Sequence, residues 1–284
     1  MERLKAYKFR LYPNEEQEIF FAKSFGCVRK VYNLMLNDRI KAYEEAKKAS
    51  FPTPAKYKSE FLFLKEVDSL ALANAQRNLD KAYKNFFRDK SIGFPRFKSK
   101  KNPVQSYTTN NQNGTVALLN NKFIKVPKLK SLIRIKLHRQ PKGMIKSATI
   151  SRHSSGKYYI SLLCKEEIIE LPKVNSAIGI DLDITDFAIL SNGQKIDNNK
   201  FTSKMAKKLK REQRKLSRRA LLAKQKSINL YEARNYQKQK RKVARLHEKV
   251  VNQRTDFLNK LSTEIIKNHD IICIEDLNTK GMFA

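Results

Sequence analysis

The chain is short of acidic residues, of cysteine and of long apolar runs. Its 284 residues hold 27 Asp and Glu against 60 Lys and Arg, a formal net charge of +33 at pH 7. Cys27, Cys164 and Cys273 lie far apart and form no CxxC pair. That spacing argues against a disulfide framework or a cysteine-only zinc site and fits three buried thiols in a reducing cytosol. No apolar run approaches the roughly 18 residues of a membrane span. The opening MERLKAYKFRLYP is charged and has no apolar signal-peptide core. These absences predict a cytoplasmic chain with no membrane partner.

What is present is base, in great excess. Neutralising phosphates with Lys and Arg releases condensed counterions, so such a surface attracts nucleic acid. Acids are still interspersed, and 40% of the residues are hydrophobic, enough for packed cores.

Residues 3–12, RLKAYKFRLY, alternate as a strand does, and Pro13–Asn14 ends the run. A helical segment follows from Asn14 to about residue 48, with Asn14 as cap and Glu15 and Glu16 in its first turn. Pro52 and Pro54 mark a loop, and helical spacing returns over residues 60–90. The stretch GFPRFKSKKNPVQSYTTNNQNGT, rich in Lys, Asn, Gly and Pro, reads as loop. Five short strand patterns then run to residue 166, the last two joined at Ser154-Ser155-Gly156. Residues 104–166 therefore predict a small β-barrel or curved sheet that the opening strand joins, with the helical block as an insertion. ELPKVNS, residues 170–176, is a linker.

The second half carries the candidate chemistry. In AIGIDLDITDFAILSNG an apolar run leads to Asp181, and Asp183 follows; near the end, IICIEDL delivers Glu275 and Asp276 from a second apolar run. Between them, residues 203–249 read as a helical segment dominated by Lys and Arg. Its candidates for backbone contact are Lys207, Lys208, Arg211, Arg214, Arg218, Arg219, Lys240 and Arg241, to which Arg96 and Lys98 of the earlier loop are added. A strand ending in an acid, a second strand, helices, then another acid-ended strand is an order that suits a ribonuclease H-like core. Carboxylates converging from strand ends can hold two Mg²⁺ ions that activate water and stabilise the leaving oxygen of a phosphodiester.

These segments, with KFRLYPNEEQ, VYNLML, LDKAYKNFFRDK, GFPRFKSK, SATISRHSSGKYYISLLC and LHEKVVNQRTDFLNKLS, resemble TnpB proteins, transposon-encoded RNA-guided nucleases related to type V CRISPR effectors. The resemblance runs along essentially the whole chain. It implies an α+β multidomain fold. An oligonucleotide-binding-like β-barrel wedge domain (1–12 and 91–174) would carry an inserted helical recognition domain (13–90). A truncated RuvC-like, ribonuclease H-like α/β domain (175–284) would follow. It implies a guide RNA and a double-stranded DNA target read beside a short adjacent motif, with base pairing supplying most of the specificity. Positions matching the motif-reading region are Ser69, Leu70, Asn74, Thr108 and Thr109, for which helix surface and loop capping are equally good readings. Asp181 and Glu275 match two metal ligands.

Two departures from the family set the expectation. The usual GIDLG is GIDLD here, placing Asp183 where a glycine stands, and no CxxC…CxxC ribbon or third catalytic Asp follows Glu275. The resemblance is therefore closest to nuclease-dead TnpB-like repressors, in which Asp181 and Glu275 are relics. It predicts guide-dependent DNA binding that needs no Mg²⁺ and no zinc, by a nucleoid-associated monomer repressing transcription through occupancy. The alternatives are an RNA-guided Mg²⁺-dependent endonuclease, as a fragment or completed by another chain, a decayed transposon remnant, and a nucleic-acid binder without a guide.

Overall fold

In the computed structural model the described residues are 1–47, 50–182 and 185–275. The chain divides into two compact units, Met1–Ile168 and Ile169–Ala284.

The first unit is built on β1 (Glu2–Tyr12), the long strand at the centre of a seven-stranded sheet. Its partners are β2 (Val104–Asn110), β3 (Ala117–Leu119), β4 (Phe123–Lys125), β5 (Ile133–Lys136), β6 (Met144–His153) and β7 (Tyr158–Glu167), in the order β2-β6-β7-β1-β5-β4-β3. All pairings are antiparallel. β1 pairs with β7 along most of its length and passes to β5 at Arg10–Tyr12, so it joins two groups of strands. Among the described residues no ladder joins β2 to β3, so the sheet is not closed into a hydrogen-bonded barrel. Strand alternation does the sorting: Tyr7, Phe9 and Leu11 are buried and stand in register with Leu162, Ile160 and Tyr158, which are buried too.

The strand β2 corrects the sequence reading, which placed residues 104–110 in a loop. Its turn-like composition misleads because Tyr107 and Thr109 face inward, and the ladder to β6 satisfies the backbone of an otherwise polar run. Gly143, just before β6, has φ +73°, and a Cβ there would lie 2.0 Å from the Lys165 carbonyl oxygen, so only glycine fits that approach of β6 to β7.

Two helices cover the sheet. α1 (Glu15–Ala46) starts on a capping box: the Asn14 side chain accepts from the Gln17 amide at 2.9 Å, and the Gln17 side chain accepts from the Asn14 amide at 3.1 Å. α2 (Ser69–Arg88) begins nine residues after the start that helical spacing indicates. The reason is Asp68, whose carboxylate accepts from the Leu70 amide at 3.2 Å and fixes the first turn there. Ahead of it, Leu64 and Val67 reach the core from a 3₁₀ turn and from the bend that follows it. Phe21, Phe25, Met35 and Leu36 of α1 and Leu72 and Leu79 of α2 share one core with the sheet. The aromatic pairs Phe25–Tyr107 at 5.7 Å and Phe21–Tyr158 at 5.8 Å bridge helix and strands.

The second unit opens with β8 (Ala177–Asp181), β9 (Ala188–Leu190) and β10 (Lys195–Ile196), followed by α3 (Phe201–Gln225), α4 (Arg234–Asn268) and β11 (Ile271–Ile274). The sheet order is β10-β9-β8-β11, and only β8 and β11 are parallel. A parallel neighbour requires a crossover, and here the pair α3–α4 makes it. Residues 203–249, read as one helical segment, are in fact two helices separated at 226–233, where Ser227 takes φ +51° and Asn229 Oδ1 accepts from the Tyr231 amide. Contacts of Thr202 with Arg254, Glu212 with Gln239 and Arg219 with Asn235 show that the two helices run antiparallel. Phe257, Leu261 and Ile265 pack α4 on Ile178, Ala188, Leu190 and Ile196.

Candidate nucleic-acid interface and acidic strand ends

Asp181 ends β8 and Glu275 directly follows β11. Register places Cys273 beside Gly179 and Ile274 beside Ile180, so the next pair along is Glu275 beside Asp181. Neighbouring strands lie about 4.8 Å apart, and the two acids line one open groove with Gly179, Ser191 and Cys273. The groove is shaped by a close approach: the Ser191 hydroxyl accepts from the Gly179 amide at 3.0 Å, and the Gly179 carbonyl accepts from the Ser191 amide at 2.9 Å. The sheet thus brings together two carboxylates more than ninety residues apart in sequence.

Two hard oxygen donors on one sheet edge suit a divalent cation such as Mg²⁺. Among the described residues no group of three His, Cys, Asp or Glu side chains is placed to hold a metal ion. Cys27 and Cys164 are buried, but Cys273, expected to be buried, is exposed, because it lies on β11 where the strand borders this open groove. Asp183 and Asp276 lie outside the described residues.

The basic surface of this unit is on α3. Lys204, Lys207, Lys208, Arg211, Arg214 and Arg218 recur at helical spacing and line one face. Arg219 donates to the Asn235 carbonyl at 2.8 Å and ties α3 to α4. Lys240 and Arg241 are exposed on α4. Beneath this surface Glu212 is buried at 1% exposure, accepts from Gln239 Nε2 at 2.8 Å, and stands 3.4 Å from Lys242 and 3.8 Å from Lys215. The Gln239 hydrogen bond and these cations lower its carboxyl pKa to about 2. A buried, fully ionised acid therefore holds the two helices together while most of the cations stay outward.

In the first unit the candidates for motif reading gather where α2 meets β2. Asn74 Nδ2 donates to the Thr108 carbonyl at 2.9 Å, and the Thr108 and Thr149 hydroxyls are 2.8 Å apart. Ser69 is exposed and accepts from Lys58 Nζ at 3.0 Å, and Leu70 is half-buried. Thr109 is fully buried and donates to the Asp68 carboxylate. Asp68 thus serves the helix cap and the strand at once. Sequence reasoning missed it, although an Asp directly before a helical run is a cap signal. Arg96 is exposed. Lys98 is half-buried, with its ammonium 4.1 Å over the Tyr32 ring and its pKa lowered by desolvation.

Two acids on paired parallel strand ends, joined through a cationic helical hairpin, are the arrangement that the second unit presents. Residues 161–284 match a family described as "Probable transposase", and residues 1–48 match one described as "Helix-turn-helix domain". In this structure residues 1–47 form β1 and the single helix α1. The chain is 35% identical over 292 residues to a "Putative RNA-guided DNA endonuclease" of Streptomyces pristinaespiralis, covering 99% of this chain and 69% of that one. InsQ of Escherichia coli (strain K12), which carries the same description, is 35% identical over 291 residues, covering 99% of this chain and 68% of that one. A Cas12f1 chain solved in complex with sgRNA and target DNA superposes with a TM-score of 0.52 at 10% identity, covering 98% of this chain and 82% of that one, a likeness of fold alone. The chain belongs to the TnpB family. Among the described residues no helix is long and apolar enough to cross a membrane.

Proposed function

We propose that this chain is an RNA-guided, sequence-specific DNA-binding protein that holds its target without cutting it and represses transcription by occupancy. The carrying observation is the second unit: Asp181 and Glu275 at adjacent parallel strand ends, with the cationic face of α3 on the crossover between them. This equips the unit to receive a phosphate backbone. That the chain does not cut is supported by the sequence, in which Asp183 stands where the family's GIDLG has a glycine. A cation held there by Asp181 and Glu275 would supply Lewis acidity. The chain's own contribution is to fix the two acids in register and to attract the polyanion.

Guide RNA and double-stranded DNA are the partners in this reading, with specificity carried by base pairing. Motif reading falls to Ser69, Leu70, Asn74 and Thr108 at the α2–β2 junction, with Thr109 holding that junction through Asp68. The working state is a monomer bound to DNA. In the test, the chain is purified with RNA from its native locus and offered a matched DNA duplex with and without Mg²⁺. Binding that follows the guide sequence, with intact DNA in both conditions, is expected. Guide-dependent cleavage in Mg²⁺ would overturn the occupancy reading. It would favour the second one, an RNA-guided endonuclease, to which the descriptions of the relatives and the register of Asp181 with Glu275 both point.

A further inference from the structure

One cluster in the first unit is unused by this reading. Where α2 ends, Tyr83, Phe86, Phe87 and Phe94 form a contiguous aromatic group. The ring centroids are 6.2 Å apart for Tyr83–Phe87, 5.4 Å for Phe86–Phe87, and 5.5 Å for both Tyr83–Phe94 and Phe86–Phe94. Phe87 is 73% exposed and Phe94 46% exposed. A contiguous exposed aromatic surface rimmed by polar residues marks an interaction site.

The rim decides what kind of partner fits. Arg88, Lys90 and Arg96 are exposed and lie within three residues of Phe87 or Phe94 in sequence. Asp89 is the only acid between residues 81 and 101. Its carboxylate already accepts from the Ser91 amide at 3.0 Å and the Ser91 hydroxyl at 2.7 Å. Asp80, one turn before Tyr83, pairs with Arg39, whose guanidinium lies 5.2 Å over the Tyr83 ring. The segment is also anchored: the Lys98 amide donates to Asn33 Oδ1 at 2.8 Å, and Asn33 Nδ2 donates to the Lys98 carbonyl at 3.0 Å. Aromatic residues and Arg are also enriched at protein interfaces, but Lys is not, and a chain with a formal net charge of +33 favours a polyanion. A phosphate polymer with exposed bases complements both features.

We propose that Phe87 and Phe94, flanked by Arg88, Lys90 and Arg96, form a stacking platform for the unpaired bases of a single-stranded nucleic acid. Every base has a π-face, so such a platform binds without reading sequence. The proposal shares with the proposed function only that nucleic acid is the partner; it needs no guide.

The test uses the full chain and fluorescence anisotropy with labelled oligo(U) RNA, oligo(T) DNA and a DNA duplex, each about 20 units long, which exceeds the usual site size. Phe87→Ala is expected to weaken single-strand binding by about five-fold to a hundred-fold and duplex binding by under about two-fold. Phe87→Tyr should retain binding and Phe87→Leu should not. At 73% exposure the Phe87 ring contributes little to the core, and an unchanged thermal midpoint verifies folding. The stronger of the RNA and DNA effects identifies which strand the platform takes. Unchanged single-strand binding, equal loss on the duplex, or a leucine variant as good as wild type would overturn the proposal. So would a change in molar mass by light scattering in Phe87→Ala, because a second copy would then be covering the rings. The probes carry no guide, so a failure of guided targeting leaves this result readable, and the reverse also holds.

Discussion

The cationic face of α3 should set the salt dependence of DNA binding. Lys207, Lys208, Arg214 and Arg218 are exposed and share one face. Lys215 and Lys242, by contrast, approach the buried Glu212 and are partly committed to holding the helices together. Each phosphate neutralised on duplex DNA adds about −0.9 to the slope of log K against log salt. Replacing the four exposed cations by glutamine, which has similar helix propensity, should make the slope shallower by about 3 to 4. Over the rise from about 50 to about 200 mM salt, wild type should lose on the order of a hundred-fold more affinity than the variant. The assay is a salt series by anisotropy on a DNA duplex, with circular dichroism to verify helicity. Lys207→Arg with Lys208→Arg should leave the slope unchanged. An unaltered slope in the glutamine variant would refute the assignment of this face to the phosphate backbone and would redirect the search to Lys240 and Arg241 on α4.

Two further predictions concern the joints that hold the sites. Asp68→Ala removes the α2 cap and strands the buried Thr109 hydroxyl, so denaturant unfolding should show a loss of about 2–4 kcal/mol. Adding Thr109→Val should recover part of that loss, because the orphaned hydroxyl is removed; no recovery would mean the Thr109–Asp68 bond contributes nothing. In the α3–α4 hairpin, the pKa of Glu212 is depressed from 4.5 to about 2. Its contribution to stability is therefore full above pH 4.5 and is lost as pH falls toward 2. Gln239→Leu removes the largest cause of the depression. The Glu212 carboxyl, followed by NMR, should then titrate at higher pH, and acid unfolding should begin earlier.

Local chemistry that the chain carries in a row was legible without a structure. The Pro13–Asn14 break with its capping acids located the start of α1, because a cap is satisfied within four residues. Asp181 and Glu275 stood out because each ends an apolar run, and the excess of Lys and Arg fixed the sign of the surface. Order along the chain also indicated a crossover between two acid-bearing strands. Sequence was weakest where burial, rather than composition, decided the element. β2 looks like a loop until the ladder to β6 gives its amides partners. Leu64 and Val67 look helical although they reach the core from irregular backbone. The break between α3 and α4 is hidden by uniform charge, and only packing makes Glu212 a clamp.

Tertiary structure alone decided three matters. It set Glu275 beside Asp181, since register is a property of two strands and not of either one. It divided the motif-reading candidates between a rim that meets solvent at Ser69 and a buried Thr109 tied to Asp68. It also left Phe87 in water while Phe21 and Phe25, of the same residue type in the same kind of helix, are buried against Tyr107. Residue type fixes what a side chain can do. Its depth and its neighbours, which only the folded chain supplies, fix what it does.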